Sequence, residues 1–140
     1  MKKISLCYLA AGLLLAALIT SCGGSGTSII SKTPSDVIKA SIDDLNNQKF
    51  SNFITYYVRK DSVVFTKQDT AKMSGLCTLA YEEAKKKQGI KEVQIIEEKI
   101  APDGNSANVK YKIVFKDGSE NNSDETLRKV NGNWLIVIGG

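Results

Sequence analysis

The sequence predicts an α+β domain in which N-terminal helices pack against a C-terminal antiparallel meander. Three observations carry that prediction. As far as Lys87 the apolar residues recur at the three-to-four spacing of amphipathic helices, and from Ile90 onward the period changes to two. The second half is broken by turn sequences, Pro102-Asp103-Gly104-Asn105 and Asn131-Gly132, at hairpin spacing. Ahead of this pattern lie an apolar leader and a Gly/Ser-rich stretch, so the folding unit is expected to be a single domain over residues 33–140.

Lys2 and Lys3, an uncharged and mostly apolar run from Ile4 to Ile19, and the small residues after it form the three parts of a secretory signal. The run is shorter than the roughly 20 residues that span a bilayer as a helix, so residues 1–21 are expected to be removed. Ile19-Thr20-Ser21-Cys22 resembles the bacterial lipobox. That resemblance implies a diacylglyceryl group on the Cys22 thiol, cleavage just before it and acylation of the new amino group. Two or three acyl chains, at ~0.8 kcal/mol per buried CH₂, give lasting attachment where one is marginal. Residues 22–32 are rich in glycine and serine and read as a flexible tether. Acidic residues after an acylated cysteine resemble a surface-export signal in some Gram-negative lipoproteins. None follows Cys22 directly, so a lipid-anchored position in the bacterial cell envelope, facing the periplasm, is expected.

The first helix is predicted from Thr33-Pro34-Ser35-Asp36, which offers an N-cap hydroxyl, a proline at the first helical position and an acid at the third. Val37, Ile38, Ser41, Ile42 and Leu45 make its inner face, and Asn46-Asn47 ends it. Phe50, Phe53, Ile54 and Tyr57 predict a second, short helix, and Val63-Val64-Phe65 a short strand or an extended connector. Thr66 with Asp69 resembles a capping box that opens the longest helix. Met73, Leu76, Cys77, Ala80 and Ala84 are expected on its inner face, with Glu82 and Glu83 pairing four residues on to Lys86 and Lys87. Gly89 is the expected residue just past its end. Gly75 costs about 1 kcal/mol against alanine in a helix interior, which a close helix crossing would explain.

Val93 and Ile95 open a strand whose phase shifts at Ile96 and Ile100, the mark of a bulge. Val109, Tyr111, Ile113 and Phe115 alternate with Lys110, Lys112, Val114 and Lys116, giving one buried and one wet face. Residues 117–123 read as a polar turn. Asn131-Gly132 is a type I′ hairpin signal that sets Lys129 opposite Trp134 and Leu127 opposite Ile136.

Composition then removes several kinds of function. Without Lys2 and Lys3 the basic residues outnumber the 15 acidic ones by two, no footprint for nucleic acid. Cys7 leaves with the signal and Cys22 is spent on lipid, so Cys77 stands alone and no intrachain disulfide forms. The chain has no histidine, which excludes Cys-His and Ser-His nucleophilic pairs and the commonest transition-metal ligand. The Asp-Gly sequences at Asp103 and Asp117 lack the ligand spacing of an EF-hand and read as turns. No metal or cofactor is expected.

The order Pro34-Ser35-Asp36-Val37, the break at residues 46–50, the Gly89-Ile90 entry to the meander and the closing residues 131–136 carry a family resemblance. Over about residues 33–138 the chain resembles an uncharacterised family of small bacterial lipoproteins, similar in fold to the nuclear transport factor 2-like, or cystatin-like, superfamily. The resemblance implies a curved sheet wrapped around helices as an open cone. Ketosteroid isomerase and scytalone dehydratase work inside such a cone, while many other members only bind or dimerise. Isomerase chemistry requires a carboxylate base with a tyrosine and a protonated acid in an apolar cavity. The expected inward positions offer Tyr111 but no acid, the carboxylates Asp103, Asp117, Glu120 and Asp124 reading as turn or end residues, so that activity is not expected.

The expected function is therefore a membrane-anchored, non-catalytic binding or interaction module, with a homodimer or another protein as candidate partner. The alternative is a protein or enzyme that takes a small apolar ligand in the cone. Its candidate pocket residues are Tyr57, Tyr111 and Trp134, with Tyr56 nearby, although aromatic residues in a small domain serve first as core. Asp61-Ser62-Val63 and Asp69-Thr70-Ala71 resemble acceptors for O-glycosylation of exported proteins in some Gram-negative bacteria, which marks Ser62 and Thr70.

Overall fold

The computed structural model describes residues 32–61 and 65–138. The signal, Cys22, nearly all of the tether, and Ser62 with Val63 and Val64 lie outside the described residues. The elements run α1 (Pro34–Asn46), α2 (Phe50–Thr55), β1 (Tyr57–Arg59), α3 (Lys67–Lys86), β2 (Ile90–Ile100), β3 (Ser106–Phe115), β4 (Glu120–Val130) and β5 (Asn133–Ile138). One five-stranded sheet has the order β1-β5-β4-β3-β2. Its meander is antiparallel, as expected, but β1 joins β5 in parallel, so the sheet is mixed.

Strand β1 corrects the expected reach of the second helix to Tyr57. The helix stops at Thr55 because the next residues have a distant partner: the Ile136 amide donates to the Tyr56 carbonyl at 2.8 Å, and Tyr57 pairs with Ile136. Phe65 belongs to no strand and packs, half-buried, beside α2 and α3.

Helix α1 begins with the predicted cap, Thr33 and Asp36 closing a reciprocal box. Its N-terminus is clipped to the sheet by Glu98, whose carboxylate accepts from the Ser35 amide at 2.8 Å and from the Ser35 hydroxyl. A carboxylate there also faces the positive end of the helix dipole. Val37, Ile38 and Ile42 then meet Val109, Tyr111, Ile113, Leu127, Trp134 and Ile136 in the main core. Leu45, Phe53, Ile54 and Cys77 form a second cluster joining α1, α2 and α3.

The long helix α3 opens on the predicted Thr66–Asp69 box. Its buried stripe is narrower than the spacing implied: Cys77 and Ala84 are buried, Met73 is half-buried, while Ala80 is exposed and Leu76 is 59% exposed. The reason is its docking, on α2 and α1. The ion pairs close at three residues, Glu82 with Lys85 and Glu83 with Lys86, rather than four. Past the helix end, Gln88 at φ 66° is the first left-handed residue and Gly89 follows it at φ 92°. Among the described residues, no helix is long and apolar enough to cross a membrane.

The strand registers agree with the alternation read from the sequence. A register shift between Ile95 and Glu97 confirms a bulge, and Ile96 is left 62% exposed by it. Lys129 faces Trp134 and Leu127 faces Ile136 across the last hairpin, where Asn131 and Gly132 take φ 49° and 82°. The segment read as a polar turn up to Ser123 is corrected, since β4 already starts at Glu120 and pairs with β3 from Val114.

Candidate functional site

The site is built on the face of the sheet that looks towards the helices. On β3 that face carries Ala107, Val109, Tyr111 and Ile113, all buried. Pairing sets Ser123 opposite Tyr111, Glu125 opposite Val109 and Leu127 opposite Ala107. Because side chains alternate along a strand, fully buried Leu127 puts Glu125 and Ser123 on the same inner face. Glu125 and Tyr111 are thus diagonal neighbours, within reach of each other's side chains. Tyr57 enters from β1, level with Ile136 and Leu127, and its ring stacks obliquely on Phe53 with centroids 4.7 Å apart.

Glu125 corrects the expectation that no acid faces inward. The polar run from Glu120 to Asp124 hid the period of β4, whose outer face carries Glu120 and Asp124 while its inner face carries Glu125. The phase of Leu127, read backwards in steps of two, was the signal that locates Glu125.

Electrostatics bind the three groups together. Burial, then the charge of Asp124, pushes the half-buried Glu125 carboxyl above its ordinary range. Tyr111 is pushed up to about 12, by burial first and by Glu125 second, with the nearby Ser123 hydroxyl opposing. Tyr57 is raised by burial and then by Tyr111 and Glu125, with Ser41 opposing. Both phenols therefore stay protonated at neutral pH. The Ser41 hydroxyl itself donates to the Ile38 carbonyl at 2.8 Å.

Among the described residues every fully buried side-chain polar atom has a hydrogen-bond partner. The Tyr57 hydroxyl meets Ser41 and the Tyr111 hydroxyl meets Ser123, while the half-buried Glu125 carboxylate has neither a hydrogen bond nor an ion pair among the described residues. Beside them, at the end of β1 and β5, a groove is lined by Arg59, Phe65, Asp69 and Ile138, where Arg59 pairs with Asp61 at 3.3 Å and with Asp69 at 3.8 Å.

The other singled-out residues have separate places. Trp134 is 8% exposed in the main core, with the Lys129 ammonium 4.9 Å from its ring centroid. Tyr56 donates to the Asp44 carboxylate at 3.2 Å. Thr70 is exposed in the first turn of α3, its hydroxyl donating to the Thr66 carbonyl at 2.9 Å. Cys22 and Ser62 lie outside the described residues. Asp103 and Asp117 each accept from a backbone amide two residues on, at 2.9 and 2.8 Å, the geometry of turns. Among the described residues no group of three or more potential ligands could hold a metal ion.

The fold and this face can be set beside known proteins. The family described as Domain of unknown function (DUF4878) matches residues 20–137, and the chain belongs to it. A solved structure from Campylobacter jejuni, described as a candidate NTF2-like transpeptidase, is similar at TM-score 0.65 and 22% identity, over 76% of this chain and 99% of that one. A SEC-C motif containing protein from Rhodopseudomonas palustris is similar at TM-score 0.49 and 11% identity, over 76% of this chain and 77% of that one. The first likeness shows a nuclear transport factor 2-like fold. A comparison with curated proteins finds no match.

Proposed function

We propose that this protein is a lipid-anchored envelope protein, acylated at Cys22, whose domain binds a small and largely apolar ligand on the concave face of its sheet. The observation that carries the ligand reading is the half-buried, unpaired Glu125 carboxylate beside Tyr57 and Tyr111 on the otherwise apolar inner face of the sheet. A few convergent polar groups in an apolar recess are the usual composition of a ligand site. On the opposite face of the sheet the charges of β3 are internally paired, Lys112 with Glu120 at 2.9 Å and Lys110 with Glu97 at 3.5 Å. The anchor reading is supported by the signal-like leader that runs up to Cys22.

The activity named for the Campylobacter neighbour is not carried over. Acyl transfer needs an activated nucleophile, and this chain has no histidine, while Cys77 is 2% exposed with its thiol pushed up by burial. A second reading is proton-transfer chemistry by the same three groups, favoured by the raised Glu125 carboxyl. Metabolic labelling with a palmitate analogue tests the anchor: wild type takes up label and enters the membrane fraction, and Cys22→Ala loses both. Undiminished label in Cys22→Ala would overturn the assignment.

A further inference from the structure

Building on the ligand-binding reading above, we infer that the concave site selects a small organic cation, an ammonium group on an apolar body, with the Glu125 carboxylate as its counter-charge and the Tyr57 and Tyr111 rings beside it. The neighbouring carboxylates of the sheet are all engaged. Glu97 pairs with Lys99 and Lys110, Glu98 holds Ser35, Glu120 pairs with Lys112, and Asp124 accepts from Asn108 at 2.6 Å. Glu125 alone of this set has neither an ion pair nor a hydrogen bond among the described residues, and like Glu98 it lies on the inner face.

The groups that face it leave the charge uncompensated. From β3 comes the Tyr111 phenol and from β1 the Tyr57 phenol, Cys77 of α3 bears on Tyr57, and Asp124, next in the chain, lies on the outer face. Arg59, at the end of β1, is held by Asp61 and Asp69. An anionic ligand would meet the like charge of Glu125 here. A neutral one would leave a half-buried carboxylate without its counter-ion, a cost that favours a partner bringing positive charge. The tyrosine rings act in the same direction, since an aromatic ring attracts a desolvated cation. Binding therefore strengthens as pH rises through the Glu125 range, which lies above that of an ordinary carboxyl.

The test uses the full chain in detergent micelles, titrated calorimetrically with benzyltrimethylammonium, benzyl alcohol and phenylacetate, with empty micelles as the blank. Wild type is expected to bind the cation at least tenfold more tightly than the alcohol or the acid, more tightly at pH 7 than at pH 4. Glu125→Gln should bring the cation down to the level of the alcohol, and Glu125→Asp should restore part of the difference. Equal binding of cation and alcohol, unchanged in Glu125→Gln, would overturn the cation inference and leave the ligand site standing. Binding of none of the three would overturn both. Circular dichroism of each variant separates loss of binding from loss of fold.

Discussion

At the scale of single residues the chain departs from a plain core at Glu125. A half-buried carboxylate with a raised folded pKa binds its proton more tightly folded than unfolded, so its contribution falls as pH rises from the ordinary carboxyl range through the folded value. Below that window the residue is neutral in both states and costs little. Above it the desolvated charge opposes folding in full. Glu125→Gln should therefore raise the urea midpoint at pH 7, and that gain should vanish by about pH 3.5, below the ordinary carboxyl pKa. A midpoint unchanged at pH 7, or a gain independent of pH, would show that the carboxylate is solvated in the folded state. Such a gain on removing a polar group is the pattern expected where function holds a residue against stability. Cys77 lies at the other extreme, a thiol held as a small hydrophobe between α1, α2 and α3.

At the scale of elements, most of the fold was legible because local signals and tertiary contacts agree. Both capping boxes, the bulge of β2 and the last hairpin each rest on a few adjacent residues whose chemistry admits one local geometry. What escaped the sequence depends on distant partners. Tyr57 fits a helical pattern until Ile136 claims it for a sheet, and Leu76 fits an inner face until the docking of α3 leaves it outside. Gly75 belongs here too: a close crossing was expected, yet a Cβ at that position would meet nothing within 4 Å. Gly75→Ala should thus stabilise the domain by about 1 kcal/mol through helix propensity, read as a higher denaturation midpoint. A lower midpoint would mean that α3 needs its flexibility there. Trp134, buried between the hairpin and the core, should cost ~3–5 kcal/mol when replaced by alanine. A midpoint shift below about 1 kcal/mol would contradict the packing described.

At the scale of the whole molecule, the sheet is closed at one edge by a parallel strand drawn from between the helices, and this gives the concave face its second tyrosine. The candidate site therefore joins residues far apart in sequence: Ser41 from α1, Tyr57 from β1, Tyr111 from β3, and Ser123 and Glu125 from β4. Only Tyr57 and Tyr111 were legible as candidates, because aromatic residues stand out in a strand whereas an acid inside a polar run does not. The central claim is that ligands enter on this inner face, and strand alternation makes it directly testable. In full chain labelled at isoleucine, leucine and valine methyl groups, small apolar fragments should shift the resonances of Val109, Leu127, Ile136 and Ile138, which surround the site. The outward Val114 and Leu135, and Leu76 and Leu79 of α3, should stay in place. Shifts confined to Val114 and Leu135, or to Leu76 and Leu79, would contradict the account and move the binding surface off the concave face.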